Sequence, residues 1–131
     1  MRLLLDTHIL LWALAARDRL PGEARRLIES ADNEILASTI SIWEVAIKWS
    51  LRRGSISDIP ISGQGLLEAT TAAEVDLLPI EPSHAAAVDN LPLHHRDPFD
   101  RLLIVTAQQE GAVLLTSDAM LASYGSAVKA T

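Results

Sequence analysis

"RLLLDTHILLWALA", residues 2 to 15, is the stretch on which the fold turns. Leu3, Leu4 and Leu5 form an apolar run of strand length that stops at a carboxylate, Asp6, and Ile9 to Ala15 then read as an apolar helix. A strand without polar alternation is one buried on both faces, as in a parallel sheet. The arrangement returns late in the chain, where Ala112 to Leu115 read as a buried strand and Asp118 opens a short helix reaching Tyr124.

Outward from these two strands, the chain keeps alternating. Pro21 opens a helix running through Ile28, and Ile35 to Ala37 form a second strand candidate. A helix from about Ser41 to Arg53 ends at Gly54, as helices often do. Residues 55 to 65 are the least regular, Leu66 to Ala73 read as a helix, Val75 to Ile80 as a strand, and Pro82 starts a helix to Asn90. After a loop at 91 to 97 comes "PFDRLLIVTA", a helix from residue 98, then Gly111; Ala127 to Lys129 read as an edge strand. Strands alternating with helices predict an α/β fold with a parallel sheet covered on both faces. In such sheets ligands bind beyond the carboxyl ends of the strands, where the strand order reverses.

Length and composition bound the rest. At 131 residues, 49% of them hydrophobic, the chain is expected to be a single domain, residues 1–131, with its own core. It contains no cysteine, so disulfides and thiolate zinc sites are excluded and any metal must be held by oxygen or histidine. The opening apolar run is too short for a signal peptide or a membrane span, so a cytoplasmic protein with no membrane association is expected. The net charge of −6 argues against holding nucleic acid by bulk electrostatics. If Asp6, Glu44, Asp97, Asp100 and Asp118 gather in one site, however, twelve acids remain against eleven bases, and a divalent ion would reverse the local field.

Each of these acids also has a structural reading. Asp6 and Asp118 follow strands and suit helix N-caps, and in "RDPFD" Asp97 suits the cap of a helix with Pro98 at its first position. Capping explains Asp100 less well, because it shares a helical face with Leu103, Ile104 and Ala107. Glu44, read in the first turn of its helix, pairs with Lys48 one turn on, an interaction worth about 0.2 to 0.5 kcal/mol at an exposed position. Taken together, two acids lie at strand ends and two near the starts of helices that could meet those ends. Crowded like charges need a compensating cation, and hard oxygen donors suit magnesium or manganese. Such an ion can activate water and neutralise charge on a phosphodiester.

The segments "LLLDTHILLWAL", "SIWEVAIK", "HRDPFDRLLIVTA" and "LLTSDAML", in this order across almost the whole chain, resemble the PIN-domain ribonucleases of the VapC toxin type. The resemblance implies a three-layer α/β/α sandwich around a mainly parallel sheet, and an acidic quartet of Asp6, Glu44, Asp100 and Asp118 that binds Mg2+ or Mn2+ and hydrolyses RNA to 5′-phosphate and 3′-hydroxyl ends. Asp6, Asp100 and Asp118 are then the metal ligands, with Glu44 at a second metal directly or through water. Asp97 is a cap or supporting acid, and Thr7, Thr116 and Ser117 are candidates for orienting the carboxylates. The same resemblance implies a small antitoxin partner and a homodimer.

Competing readings are a catalytically inactive PIN-like binding module, a phosphoacceptor signalling domain, and a haloacid-dehalogenase-like phosphatase. The phosphoacceptor fold normally carries adjacent acids where this chain has Asp6-Thr7, and the phosphatase needs an acid where His8 stands. Trp12, Trp43 and Trp49 lie in apolar helical patterns and are expected in core or interface packing rather than base stacking. His94, His95 and Arg96 suggest a loop facing substrate or partner, His8 and His84 lack partners for a histidine metal site, and Lys48, Arg52 and Arg53 read as a solvated helix end.

Overall fold

The computed structural model describes residues 1–52 and 59–131. Five strands, β1 (Arg2–Leu5), β2 (Glu34–Ser38), β3 (Asp76–Leu78), β4 (Val113–Thr116) and β5 (Val128–Ala130), form one sheet in the order β3-β2-β1-β4-β5, with every pairing parallel. The helices are α1 (Thr7–Ala15), α2 (Gly22–Glu29), α3 (Thr39–Ser50), α4 (Gly63–Ala72), α5 (Pro82–Ala87) and α6 (Pro98–Gln109), with 3-10 turns at Arg17–Arg19, Val88–Asn90 and Ala119–Tyr124. The α/β/α expectation holds, and the sheet is wholly rather than mainly parallel.

The leucine run explains the layering. Side chains alternate across a strand, so Leu3 and Leu5 enter one core with Ile9, Leu10 and Leu11 of α1, Leu27 of α2 and Leu66 of α4. Leu4 enters the other, with Leu103, Ile104 and Ala107 of α6. Leu36 and Leu114 share the face of Leu4, while Ala37 and Leu115 share that of Leu3. Both faces of the central strands are therefore dry, which is why their sequence shows no polar alternation.

Several boundaries differ from those read in the sequence. The α3 helix starts at Thr39 because the Ser38 hydroxyl accepts from the Ile40 amide at 3.0 Å. Glu44 consequently stands in the second turn, not the first. The α4 helix starts at Gly63, where Ser62 caps the Gly65 amide at 3.0 Å. Pro21 precedes α2 as its cap residue, and β3 is confined to three residues. Arg53, Gly54 and residues 55 to 58 lie outside the described residues, so the expected end of α3 at Gly54 and much of the irregular stretch do too.

Gly63 is where α4 meets α3. A Cβ there would stand 2.7 Å from Ala46 Cβ and 3.1 Å from Ala46 Cα, a contact with no flexible side chain to move aside. Gly63→Ala is therefore expected to destabilise the protein by about 1–2 kcal/mol despite alanine's better helix propensity, because overpacking outweighs it. Urea denaturation checks this; an unchanged or raised midpoint would show that α3 and α4 separate freely.

The chain steps outward from β1 through β2 to β3, then returns through α6 to place β4 on the other flank of β1. The order reverses between β1 and β4, so a crevice opens beyond Leu5 and Thr116. A phosphoacceptor receiver fold has the order 2-1-3-4-5 instead, which this sheet does not follow.

Candidate metal centre

Asp6 is the first residue past β1, and its amide still donates to Leu115 O of β4 at 3.0 Å. One carboxylate oxygen caps α1 by accepting from the Ile9 amide at 2.8 Å, and the other accepts from the Thr116 hydroxyl in a short hydrogen bond. The cap and the site are thus the same residue. Asp6 is only 6% exposed, and burial raises its pKa to about 6, against the two hydrogen bonds that favour the anion; the charges of Glu44 and Asp118 push the same way.

Glu44 comes to the same crevice from α3 and is buried, contrary to the exposed pairing with Lys48 considered from the sequence. Its Oε1 accepts from the Thr7 hydroxyl at 2.7 Å, and its Oε2 meets Lys48 Nζ at 2.5 Å. Ser41 stands 3.0 Å from Thr7 Oγ1, completing a hydroxyl pair beneath the carboxylate. Burial works against the Lys48 charge, yet the bond to Glu44 and the charges of Glu44, Asp97 and Asp100 outweigh it and raise its pKa. Among the described residues, Lys48 is the cation ion-paired with this cluster of acids.

The corner before α6 divides its acids by geometry. Asp97 is the N-cap, its Oδ1 accepting from the amides of Phe99 at 2.8 Å and Asp100 at 3.1 Å. Asp100, one turn in, turns toward the crevice and meets His95 Nε2 at 2.9 Å through Oδ2. Burial again is the main cause that raises its pKa to about 6, with the charges of Asp97, Asp6 and Glu44 adding to it and the His95 bond opposing. Asp118 caps the 3-10 turn after β4 by accepting from the Met120 amide at 3.0 Å, and its own amide donates to Thr116 Oγ1 at 3.0 Å. Thr116 is therefore wedged between Asp6 and Asp118.

All four acids named from the sequence converge on the β1/β4 crevice, coupled through their charges. Thr7 and Thr116 each bond a carboxylate directly. Ser117 is exposed, and no hydrogen bond among the described residues ties it to the cluster, so its expected orienting role lacks a contact. One participant was missed: His95, whose ring nitrogen lies with a carboxylate oxygen of Asp100 and one of Asp118 in a group whose atoms are within 4.8 Å of one another. Its only sequence signal was the spacing of five to Asp100 across the Asp-Pro corner.

The aromatic residues separate. Trp12 and Trp49 pack on the α1 side of the core, whereas Trp43 is 54% exposed and stands edge-to-face with Phe99 at 5.2 Å, so core packing is not its role. His84 is buried structural histidine, accepting from the Glu81 amide and paired with Glu110 at 2.9 Å, and His8 lies beside the Trp12 ring. Arg52 stacks on Trp49 with its guanidinium carbon 3.7 Å from the ring centroid and donates to Trp49 O, a local helix-end arrangement.

Comparison with known proteins agrees with this fold. The PIN domain family model matches residues 3–126. A Mycobacterium tuberculosis protein named Ribonuclease VapC22 is 37% identical over 125 residues, covering 92% of this chain and 90% of that one. Among solved structures, VapBC2 from Rickettsia felis bound to a promoter DNA fragment superposes with a TM-score of 0.68 at 16% identity, covering 100% of this chain and 98% of that one. FitAcB from Neisseria gonorrhoeae gives 0.63 at 18% identity with 96% and 95% covered, and these two share the fold. A family match spanning nearly the full length, on a sheet whose reversal point carries the acids of all four motifs, makes this chain a member of the PIN-domain family.

Proposed function

We propose that the protein is a divalent-metal-dependent endoribonuclease that acts as the toxin of a toxin–antitoxin pair. The observation that carries the reading is the convergence of Asp6, Glu44, Asp100 and Asp118 at the β1/β4 crevice, with Asp6 and Asp100 raised to about 6 by burial and mutual charge. The relative named Ribonuclease VapC22 supports the substrate class, and the likeness of the four sequence motifs to VapC-type toxins supports the toxin role.

The donor set fits a hard cation. It is rich in carboxylate oxygen, contains no thiolate, and has more negative charge than Lys48 alone can offset. Asp6, Asp100 and Asp118 would hold Mg2+ or Mn2+, with Glu44 contributing directly or through water. A bound ion supplies positive charge to the attacked phosphodiester and makes hydroxide available near neutral pH.

The chain's own groups prepare that chemistry. Thr116 and the Ile9 amide fix both oxygens of Asp6, so its carboxylate cannot rotate away from the crevice. Thr7 and Lys48 do the same for Glu44. The Asp97 cap sets the first turn of α6 and with it the direction of Asp100. Burial of Asp6 and Glu44 strengthens the interactions that hold them.

For partners, the reading is RNA as substrate, a small antitoxin protein, and a homodimer. The exposed Trp43 and the half-buried Phe99 line a cleft of about 370 Å³ with Val88, Leu102, Arg96 and Arg101, a largely apolar surface edged by two arginines and suited to protein contact. No helix among the described residues is long and apolar enough to cross a membrane.

The deciding experiment incubates purified protein with a structured RNA in Mg2+ or Mn2+, in EDTA, and as Asp6→Asn. Cleavage that needs the metal and disappears in the variant is expected. Equal cleavage under all these conditions, or none by the wild type in either metal, would sink the ribonuclease reading.

A further inference from the structure

His95 sits on a segment without helix or strand, yet that segment is held by hydrogen bonds from two side chains. Arg101, on α6, donates through Nη1 to Pro92 O at 3.0 Å and His95 O at 3.2 Å, and through Nη2 to Leu91 O at 3.0 Å and Val88 O at 3.3 Å. The Tyr124 hydroxyl accepts from the His94 amide at 3.0 Å and the His95 amide at 2.9 Å, and donates to Pro92 O at 2.8 Å. The guanidinium and the phenol also touch each other at 3.3 Å. A loop clamped from two elements presents its side chain in a fixed place, as a ligand requires.

That place is between two carboxylates. His95 Nε2 is 2.9 Å from Asp100 Oδ2, and a ring nitrogen of His95, a carboxylate oxygen of Asp100 and one of Asp118 form a triangle with no edge longer than 4.8 Å. An ion bound at about 2.1–2.2 Å from each atom needs edges no longer than about 4.4 Å, so closure asks for at most a few tenths of an ångström. The imidazole is mostly buried, its side chain 18% exposed. A histidine serving only to orient Asp100 would need no second carboxylate, that of Asp118, beside its ring.

We propose that His95 Nε2 is itself a metal ligand, making with Asp100 and Asp118 a mixed nitrogen–oxygen site that favours Mn2+ over Mg2+. This rests on the reading of the carboxylate cluster as a metal centre and adds a donor that the four-acid set lacks. An imidazole in the ligand shell strengthens binding along the first-row series relative to magnesium, which prefers oxygen throughout.

The test uses Mn2+ alone with the full chain. Loss of the free-ion EPR signal on titration reports binding, and electron spin echo envelope modulation reports whether a nitrogen nucleus touches the bound ion. The wild type and His94→Gln are expected to show one directly coupled ¹⁴N. In His95→Gln the coupling should vanish and Mn2+ affinity fall at least about tenfold, with Mg2+ affinity changing less. Bound Mn2+ without nitrogen coupling in the wild type overturns the proposal while leaving the carboxylate site standing. No Mn2+ binding at all overturns both. Coupling that persists in a folded His95→Gln protein overturns the assignment to His95; should that variant not fold, the wild-type and His94→Gln spectra still decide whether nitrogen binds.

Discussion

Replacing Asp100 by asparagine is expected to remove RNA cleavage by roughly 10³-fold while raising the melting temperature of the metal-free protein. The two effects have one cause. Asp100 is pushed to about 6 by burial and by its neighbours' charge, so at neutral pH the folded chain holds an anion where it disfavours one. Asparagine keeps the shape and can still accept from His95, but removes the charge, which should stabilise the metal-free fold by on the order of 1 kcal/mol and several degrees in Tm at this chain length. The same change removes a ligand whose contribution to a charged transition state amounts to about 4 kcal/mol. Asp6→Asn should lose activity comparably but gain less stability, because both Asp6 oxygens accept hydrogen bonds and an amide can accept only through one. Calorimetry and a single-turnover cleavage assay on the same preparations check this. Falling activity together with falling stability in Asp100→Asn would indicate a structural carboxylate instead, a role in keeping with its place in the first turn of α6.

What was legible in the sequence and what was not follows from the range of the interactions. β1 and β4 could be read because Leu3 to Leu5 and Leu114 to Leu115 need burial on both faces, a local demand with one common solution. The acids could be found because each follows a strand or starts a helix, and Asp97, Pro98 and Asp100 divide their tasks within a single turn. Glu44 was misplaced by a turn because two hydroxyl residues, Ser38 and Ser41, both suit a cap and only the end of β2 chooses between them. Trp43 could be read for core or interface packing because the α3 pattern is apolar on more than one side; the helix serves both cores, Val45 in one and Ile40 in the other, leaving a third apolar side in water. His95 was out of reach for a stronger reason. Its position depends on Tyr124, 29 residues later, and it comes near Asp118 after β4, and no local pattern encodes that meeting.

The pH dependence of stability separates a metal centre from a cluster of caps. In the folded chain Asp6 and Asp100 release their protons near 6, against an ordinary value of 3.8. Between those values the folded state therefore binds more protons than the unfolded one, so stability from these groups falls as pH rises through the window and stays low above it. Metal-free protein should accordingly gain from acidification between pH 7 and 5, the opposite of a chain whose acids are held by salt bridges. A divalent ion binds the deprotonated carboxylates and must displace protons at low pH. At a concentration of 100 times Kd it adds about 2.7 kcal/mol at pH 8, and much less at pH 5, where the sites are protonated. Thermal melts from pH 5 to 8, with and without Mn2+, should therefore diverge as pH rises, and the divergence should collapse in Asp100→Asn. Parallel curves at every pH would mean that the ion binds elsewhere. The protein would then have gathered four acids at the β1/β4 crevice with Lys48 as the cation bonded to them among the described residues, which is why divergence is the expected result.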